Sequence, residues 1–180
     1  MSAPDVPTLQ GQRCLLRALH TGDAASLQRH ADNLAVSRNL FEGFPSPYTL
    51  DHALAWCDPQ QRLASFGYVW GIEVDAQVVG CMGVRPHEGW LRCNAEVGYW
   101  LGQAYWGRGI APEALRLATD WVWPNLPEIT RLHADVFAWN SASAAVARKA
   151  GYFKESDMRR SAIKNGQVID RMCWACLRPE

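Results

Sequence analysis

Residues 94–122, "NAEVGYWLGQAYWGRGIAPEALRLATDWV", constrain the fold of this chain more than any other stretch. Over 94–101, Ala95, Val97, Tyr99 and Leu101 alternate with Glu96, Gly98 and Trp100, the pattern of a strand with two different faces. The period then changes to that of a helix. Ala111, Ala114, Leu115, Ala118, Trp121 and Val122 share one side, and Pro124 is expected to end it. Between the two lies a turn with Gly107 and Gly109 around Arg108. A strand that passes through a glycine turn into an amphipathic helix must bury that helix on its own sheet. It also leaves unpaired N–H groups at the helix start.

The remaining segments extend this pattern. "RCLLRAL" (13–19) reads as a first strand, "TGDAASLQRHADN" as a short helix capped by Thr21 or Asp23, and "TLDHALAWCDPQQ" as a helix capped by Thr49. Residues 39–48, "NLFEGFPSPY", read as a structured loop. "FGYVWGIEVD" and "QVVGCMGVRPH" are strands joined at Asp75–Ala76, and "RLHADVFAW" is another. "SASAAVARKAG" is a helix closed by Gly151, and "QVIDRMCWACL" a last strand. Helices at the front, then strands, then alternating strand and helix indicate one α/β or α+β domain with a mixed sheet over residues 1–180.

A glycine turn at a helix start is an anion site, because free amides and the helix dipole both favour phosphate there. Gly107 and Gly109 permit positive φ and close approach, Pro112 suits the first turn, and Arg108 adds a charge. A Walker loop is excluded, since no Lys-Ser/Thr follows. A dinucleotide fingerprint would need Gly or Ala where Pro112 stands, and an acidic residue closing the next strand. An acyl-CoA pyrophosphate loop matches at its Gly and Ala positions and departs at Trp106. The turn alone is a weak signal, and a plain structural turn competes with all three.

The wider context carries a resemblance. "AEVGYWLGQAYWGRGIAPEAL" followed by "NSASAAVARKAGY" resembles the GNAT N-acetyltransferase superfamily, in particular its RimJ/RimL-like branch. The second segment supplies Asn140, Ser143, Lys149, Gly151 and Tyr152. The resemblance covers essentially the whole chain. It implies a mostly antiparallel mixed sheet of about seven strands with about four helices, and a splayed strand pair that forms an acyl-CoA cleft. It further implies acyl transfer from acetyl-CoA, or another acyl-CoA such as succinyl-CoA, to an amine. Backbone groups of Tyr99, Trp100 and Leu101 would pair with the pantetheine arm. The turn, with Trp106, Gly107, Arg108, Gly109, Ile110 and Ala111, would receive the pyrophosphate, and Asn140 would bond to the cofactor. A homodimer also fits the resemblance, although no interface is legible.

Thioesters are already activated, so the enzyme must align the reactants, deprotonate the amine and stabilise the tetrahedral intermediate. An α-amine with pKa about 8 is neutral about a tenth of the time at pH 7, and a lysine only about one part in a few thousand. Glu96 is the candidate base, on the face where Gly98 leaves room for substrate; a solvated or ion-paired Glu is the alternative. The resemblance implies Ser143 as the acid for the departing thiolate, with a plain first-turn helix serine as the alternative; many relatives instead use a tyrosine seven residues after the Asn, a position that is Ala147 here. Asn140 has a structural alternative as a helix N-cap. Phe41, Glu42 and Phe44 lie in the loop where the family builds its acceptor site. Trp56, Trp90 and Trp139 are further candidates for a cleft wall.

Composition narrows the partners. Eighteen basic residues balance eighteen acidic ones, so the broad positive field of a nucleic-acid binder is lacking. The opening "MSAPDVPTLQG" has no signal-peptide features, and no apolar run is long enough to span a membrane, so a cytoplasmic setting is expected. The six cysteines then read as reduced, buried thiols. Cys173 and Cys176 point to opposite faces of a strand, the histidines lack metal spacing, and no metal is expected. His133 and Asp135 share a strand face as an ordinary hydrogen bond. A non-catalytic acyl-CoA-binding domain is the rival reading, and it would gain if Glu96 were buried in an ion pair or faced away from the thioester.

Overall fold

The computed structural model describes residues 4–62 and 66–180; residues 1–3, the start of the segment read above for signal features, lie outside that description. Strands are β1 (Leu9–Gln10), β2 (Leu15–Arg17), β3 (Tyr68–Val74), β4 (Gln77–Pro86), β5 (Asn94–Leu101), β6 (Arg131–Phe137), β7 (Phe153–Lys164) and β8 (Gln167–Leu177). Helices are α1 (Ala24–Ala31), α2 (Leu34–Ser37), α3 (Leu50–Cys57), α4 (Ile110–Asn125) and α5 (Ser141–Lys149). The strands form one sheet in the order β1-β2-β3-β4-β5-β6-β8-β7, antiparallel throughout except where β5 meets β6. No helix among the described residues is long and apolar enough to cross a membrane.

The alternation read from the sequence sorts side chains onto two faces. Val97 and Leu101 of β5, Met82 and Val84 of β4, and Leu132 of β6 are buried against Leu115, Ala118 and Val122 of α4. Val69 and Val78 point the other way, onto Leu27 of α1 and Ala53 and Cys57 of α3. Asp75 and Ala76 both take positive φ, which closes the β3–β4 hairpin. Thr49 caps α3, with its side chain accepting from the His52 N–H. Burial drives the Cys14, Cys57 and Cys81 thiols up to about 12, so they stay protonated and act as small apolar groups.

Three expectations are corrected. The strand expected over 13–19 is shorter, and β1 precedes it. Pro124 does not stop α4 at once; the helix runs one residue further, to Asn125, with the proline in its last turn. An eighth strand, β7, was not anticipated. Its sequence "FKESDMRRSAIK" is largely exposed and polar, so it lacks the apolar alternation that marks a strand. Its signal was the Asn165–Gly166 turn, where both residues take positive φ.

One buried carboxylate ties the N-terminal segment to α4. Glu113 Oε2 accepts from the Arg13 N–H at 2.6 Å and the Cys14 N–H at 3.1 Å. Burial pushes the Glu113 carboxyl up, but the amides of Arg13, Gln12 and Cys14 more than offset this and hold it below its ordinary value. A folded value below the unfolded one means that the stabilisation is complete above the ordinary Glu range. It is lost as pH falls through the folded value. Glu113→Gln should therefore lower stability by about 1–3 kcal/mol near neutral pH. In denaturant melts the gap between wild type and variant should narrow as pH falls to about 3.

Candidate active site

β5 and β6 pair in parallel at only three positions, Asn94↔Arg131, Ala95↔Leu132 and Glu96↔His133. Beyond them β5 stays with β4 as far as Leu101, and β6 stays with β8 as far as Phe137. The two strands therefore diverge, and a cleft of about 570 Å³ lies between them. The His87 N–H donates to the Asn94 carbonyl, which sets the alternation of β5. Residues 94, 96, 98 and 100 direct their backbone groups to β4, and Val97, Tyr99 and Leu101 direct theirs into the cleft. Trp100 thus gives the cleft its side chain and not its backbone, a correction to the expected backbone contact.

The glycine turn forms one end of this cleft. Gly107 (φ 75°) and Gly109 (φ 76°) are both left-handed, and Gly109 is the N-cap of α4. Among the described residues, the amides of residues 107–111 donate no hydrogen bond within the protein, so five consecutive donors converge at the positive end of a sixteen-residue helix. The Trp106 indole N–H donates to the Leu101 carbonyl at 2.7 Å and pins the turn to the strand end. Arg108 is not on the cleft wall; its guanidinium lies over the Tyr105 ring at 5.1 Å. Trp106, Gly107, Gly109, Ile110 and Ala111 are on it.

α5 closes the opposite side. Asn140 is the N-cap, its Oδ1 accepting from the Ser143 N–H at 3.1 Å, and it also lines the cleft. The Ser143 hydroxyl donates to the Tyr99 phenol at 3.0 Å, and that phenol donates to the Ser143 carbonyl at 3.1 Å. Burial pushes the Tyr99 phenol up to about 12, so it remains a proton donor. Strand β5 therefore brings a phenol to Ser143, a pairing that sequence spacing could not show.

Glu96 lies on the cleft wall at the last paired position, beside Gly98, where an added Cβ would meet nothing within 4 Å. It pairs with Arg85, its cross-strand neighbour on β4, and its side chain keeps 30% of its exposure. Asp135, read in the sequence only as the hydrogen-bond partner of His133, and Arg171, not singled out there, also line the cleft; Arg171 Nη1 donates to Asp135 Oδ2 at 2.6 Å. His133 and Asp135 do form the expected hydrogen bond, at 3.3 Å.

Another wall of the cleft combines the 39–44 loop with the β7–β8 hairpin. Phe41 and Glu42 line the cleft, and Glu42 Oε2 accepts from the Asn165 N–H at 2.7 Å. Lys164 Nζ donates to the Phe41 carbonyl, and the Trp139 indole donates to Asn39 Oδ1. Phe44 sits off the wall, stacked on Tyr48 with ring centroids 5.1 Å apart. Trp56, Trp90 and Trp139 do not line the cleft, and the indoles that do are Trp100 and Trp106.

Comparison with known proteins agrees with this architecture. Residues 13–152 match the family model "Acetyltransferase (GNAT) domain". The probable N-acetyltransferase YjcK of Bacillus subtilis is 37% identical over 87 residues, 48% of each chain. The uncharacterized N-acetyltransferase YoaA of the same species is 26% identical over 96% of this chain and 98% of its own. Among solved structures, Mycobacterium smegmatis RimJ in complex with CoA-disulfide superposes with a TM-score of 0.81 at 24% identity, covering 95% of this chain and 87% of its own. The chain belongs to the GNAT acetyltransferase family, among its N-acetyltransferases.

Proposed function

We propose that this chain transfers an acetyl group from acetyl-CoA to a primary amine by direct attack within a ternary complex, the acceptor being a protein N-terminal α-amine or a small-molecule amine. The observation that carries the reading is one continuous cleft. It runs from five free amides at the head of α4, past outward-facing backbone groups of β5, to a carboxylate beside an open glycine at the splay. The amides and helix dipole bind the pyrophosphate, and the backbone of Tyr99 and Leu101 pairs with the pantetheine arm. Asn140 has its Oδ1 committed to the helix cap, so its side-chain N–H₂ is the group it offers the cofactor. That a RimJ protein was solved with a CoA-disulfide supports the same ligand class here.

Glu96 takes the amine proton, directly or through one water, with Arg85 holding one side of the carboxylate. Glu96 is only partly buried and lies on the cleft wall, which favours catalysis over a purely binding domain. Ser143 donates to the departing thiolate once its hydroxyl turns away from the Tyr99 phenol, 3.0 Å away, to which it donates at rest. A thiolate whose acid has pKa about 8.5 needs this help less than an alkoxide would.

Acceptor-dependent thiol release from acetyl-CoA across a panel of amines and N-terminal peptides tests the reading, with mass spectrometry of the product. Tight CoA binding without such release would overturn it. Glu96→Gln should lower kcat about 10²-fold while acetyl-CoA affinity measured by calorimetry is unchanged. Gly109→Ala should do the reverse. A Cβ at that positive φ costs about 1–2 kcal/mol, and CoA affinity should fall about tenfold with the base untouched.

A further inference from the structure

One guanidinium on the cleft wall is held more firmly than the chemistry described so far requires. Arg171 of β8 donates from Nη1 to Asp135 Oδ2 at 2.6 Å and from Nε to the Ser161 hydroxyl at 3.1 Å. Both partners are themselves fixed. The Ser161 hydroxyl donates to the Met158 carbonyl at 2.8 Å, and Asp135 Oδ1 accepts from His133 Nδ1 at 3.3 Å. His133 is buried and its Nε2 is 3.2 Å from His87 Nε2, so the ring has a partner at each nitrogen. Burial pushes the Asp135 carboxyl up, but the His133 hydrogen bond and the Arg171 charge more than offset this and keep it an anion. Among the described residues, Arg171 Nη2 makes no hydrogen bond, and the side chain lines the cleft with 26% of its surface exposed.

A planar cation anchored at two nitrogens and open at the third is a ready receptor for an oxygen anion. The register says where that anion would sit. Arg171 is paired with Phe137, four residues along β6 from His133, which is the partner of Glu96. The Arg171 side chain reaches back to Asp135, only two residues beyond His133, or about 7 Å along the strand. An amine beside Glu96 and an oxygen beside Nη2 are therefore one small molecule apart. We propose that Arg171 binds a carboxylate carried by the acceptor, which makes the acceptor class a small amino acid and not a peptide N-terminus.

The proposal rests on the acyl-transfer reading and narrows its acceptor. A peptide N-terminus would bring a neutral carbonyl to Nη2, and a hydrogen bond between two charged groups is roughly twice as strong. The charges of the wall agree. Asp135 matches Arg171 and Arg85 matches Glu96, so a zwitterion adds no net charge to a wall already balanced at those two pairs. Phe41 and Ile163, both exposed, line the same cleft and give an apolar side chain its partners.

Product binding separates recognition from turnover. N-acetylleucine and N-acetylleucinamide differ only at the carboxylate, and neither carries an amine whose basicity would enter the comparison. In calorimetry with CoA present, the wild type should bind the acid about tenfold more tightly than the amide. Arg171→Gln should bring the two within about threefold of each other. Arg171→Lys keeps the charge but loses the planar fork, so it should retain only part of the preference; it also serves if the glutamine variant does not fold. An acid that binds the wild type no more tightly than its amide would overturn the proposal. So would a preference that survives Arg171→Gln, or one that Arg171→Lys keeps in full. In turnover, leucine, β-alanine or γ-aminobutyrate should support thiol release from acetyl-CoA, and release confined to peptides and carboxylate-free amines would overturn it too. If Arg171→Gln impaired use of succinyl-CoA and left the acid preference in place, the guanidinium would serve the acyl group and the proposal would fall. Absence of thiol release with every acceptor would instead overturn acyl transfer itself.

Discussion

Three paired positions between β5 and β6, followed by divergence, are the constraint on which the rest depends. Each strand has a full partner on its other side, β4 for one and β8 for the other, so neither is free to swing across and close the gap. A strand left half-paired inside a sheet is a row of unmet donors and acceptors. Here that row opens onto a helix start with five more donors, so the polar demand of the cleft is satisfied best by an extended, amide-containing ligand ending in phosphate.

The sheet's two faces divide the side chains around the cleft into two groups. Tyr99 points to the side of α4 and α5 and meets Ser143 there. Glu96, Gly98 and Trp100 point to the side of α1 and α3, and so do His133 and Asp135 of β6. The alternation of a single strand thus places the paired Tyr99 and Ser143 hydroxyls and the Glu96 carboxylate on opposite sides of the same backbone.

What was legible in the sequence follows from range. The β5 alternation, the two glycines, the Asn140 cap and the Thr49 cap act within a few residues, and their patterns carried through to the structure. The Glu96–Arg85 pair depends on the register of β4 against β5, and the Tyr99–Ser143 contact and the arrival of Asp135 and Arg171 at the cleft depend on how elements 36 or more residues apart are set against one another. No local pattern encodes that register. β7 escaped for a different reason: it lies at the sheet edge with most side chains in water, so its strand character comes from the hairpin turn and not from apolar periodicity.

The 39–44 loop is joined to its neighbours by links of modest strength: Lys164 to the Phe41 carbonyl, Glu42 to the Asn165 amide, Trp139 to Asn39. Lys164, Asn165 and residues 39–42 contribute nothing to either hydrophobic core. Two of the three links use a main-chain partner, which persists whatever side chain that position carries. Loop and hairpin tip are therefore free to exchange residues while the glycine turn and β5 keep their geometry, and the chemistry of this wall can drift under selection without a corresponding loss of foldability.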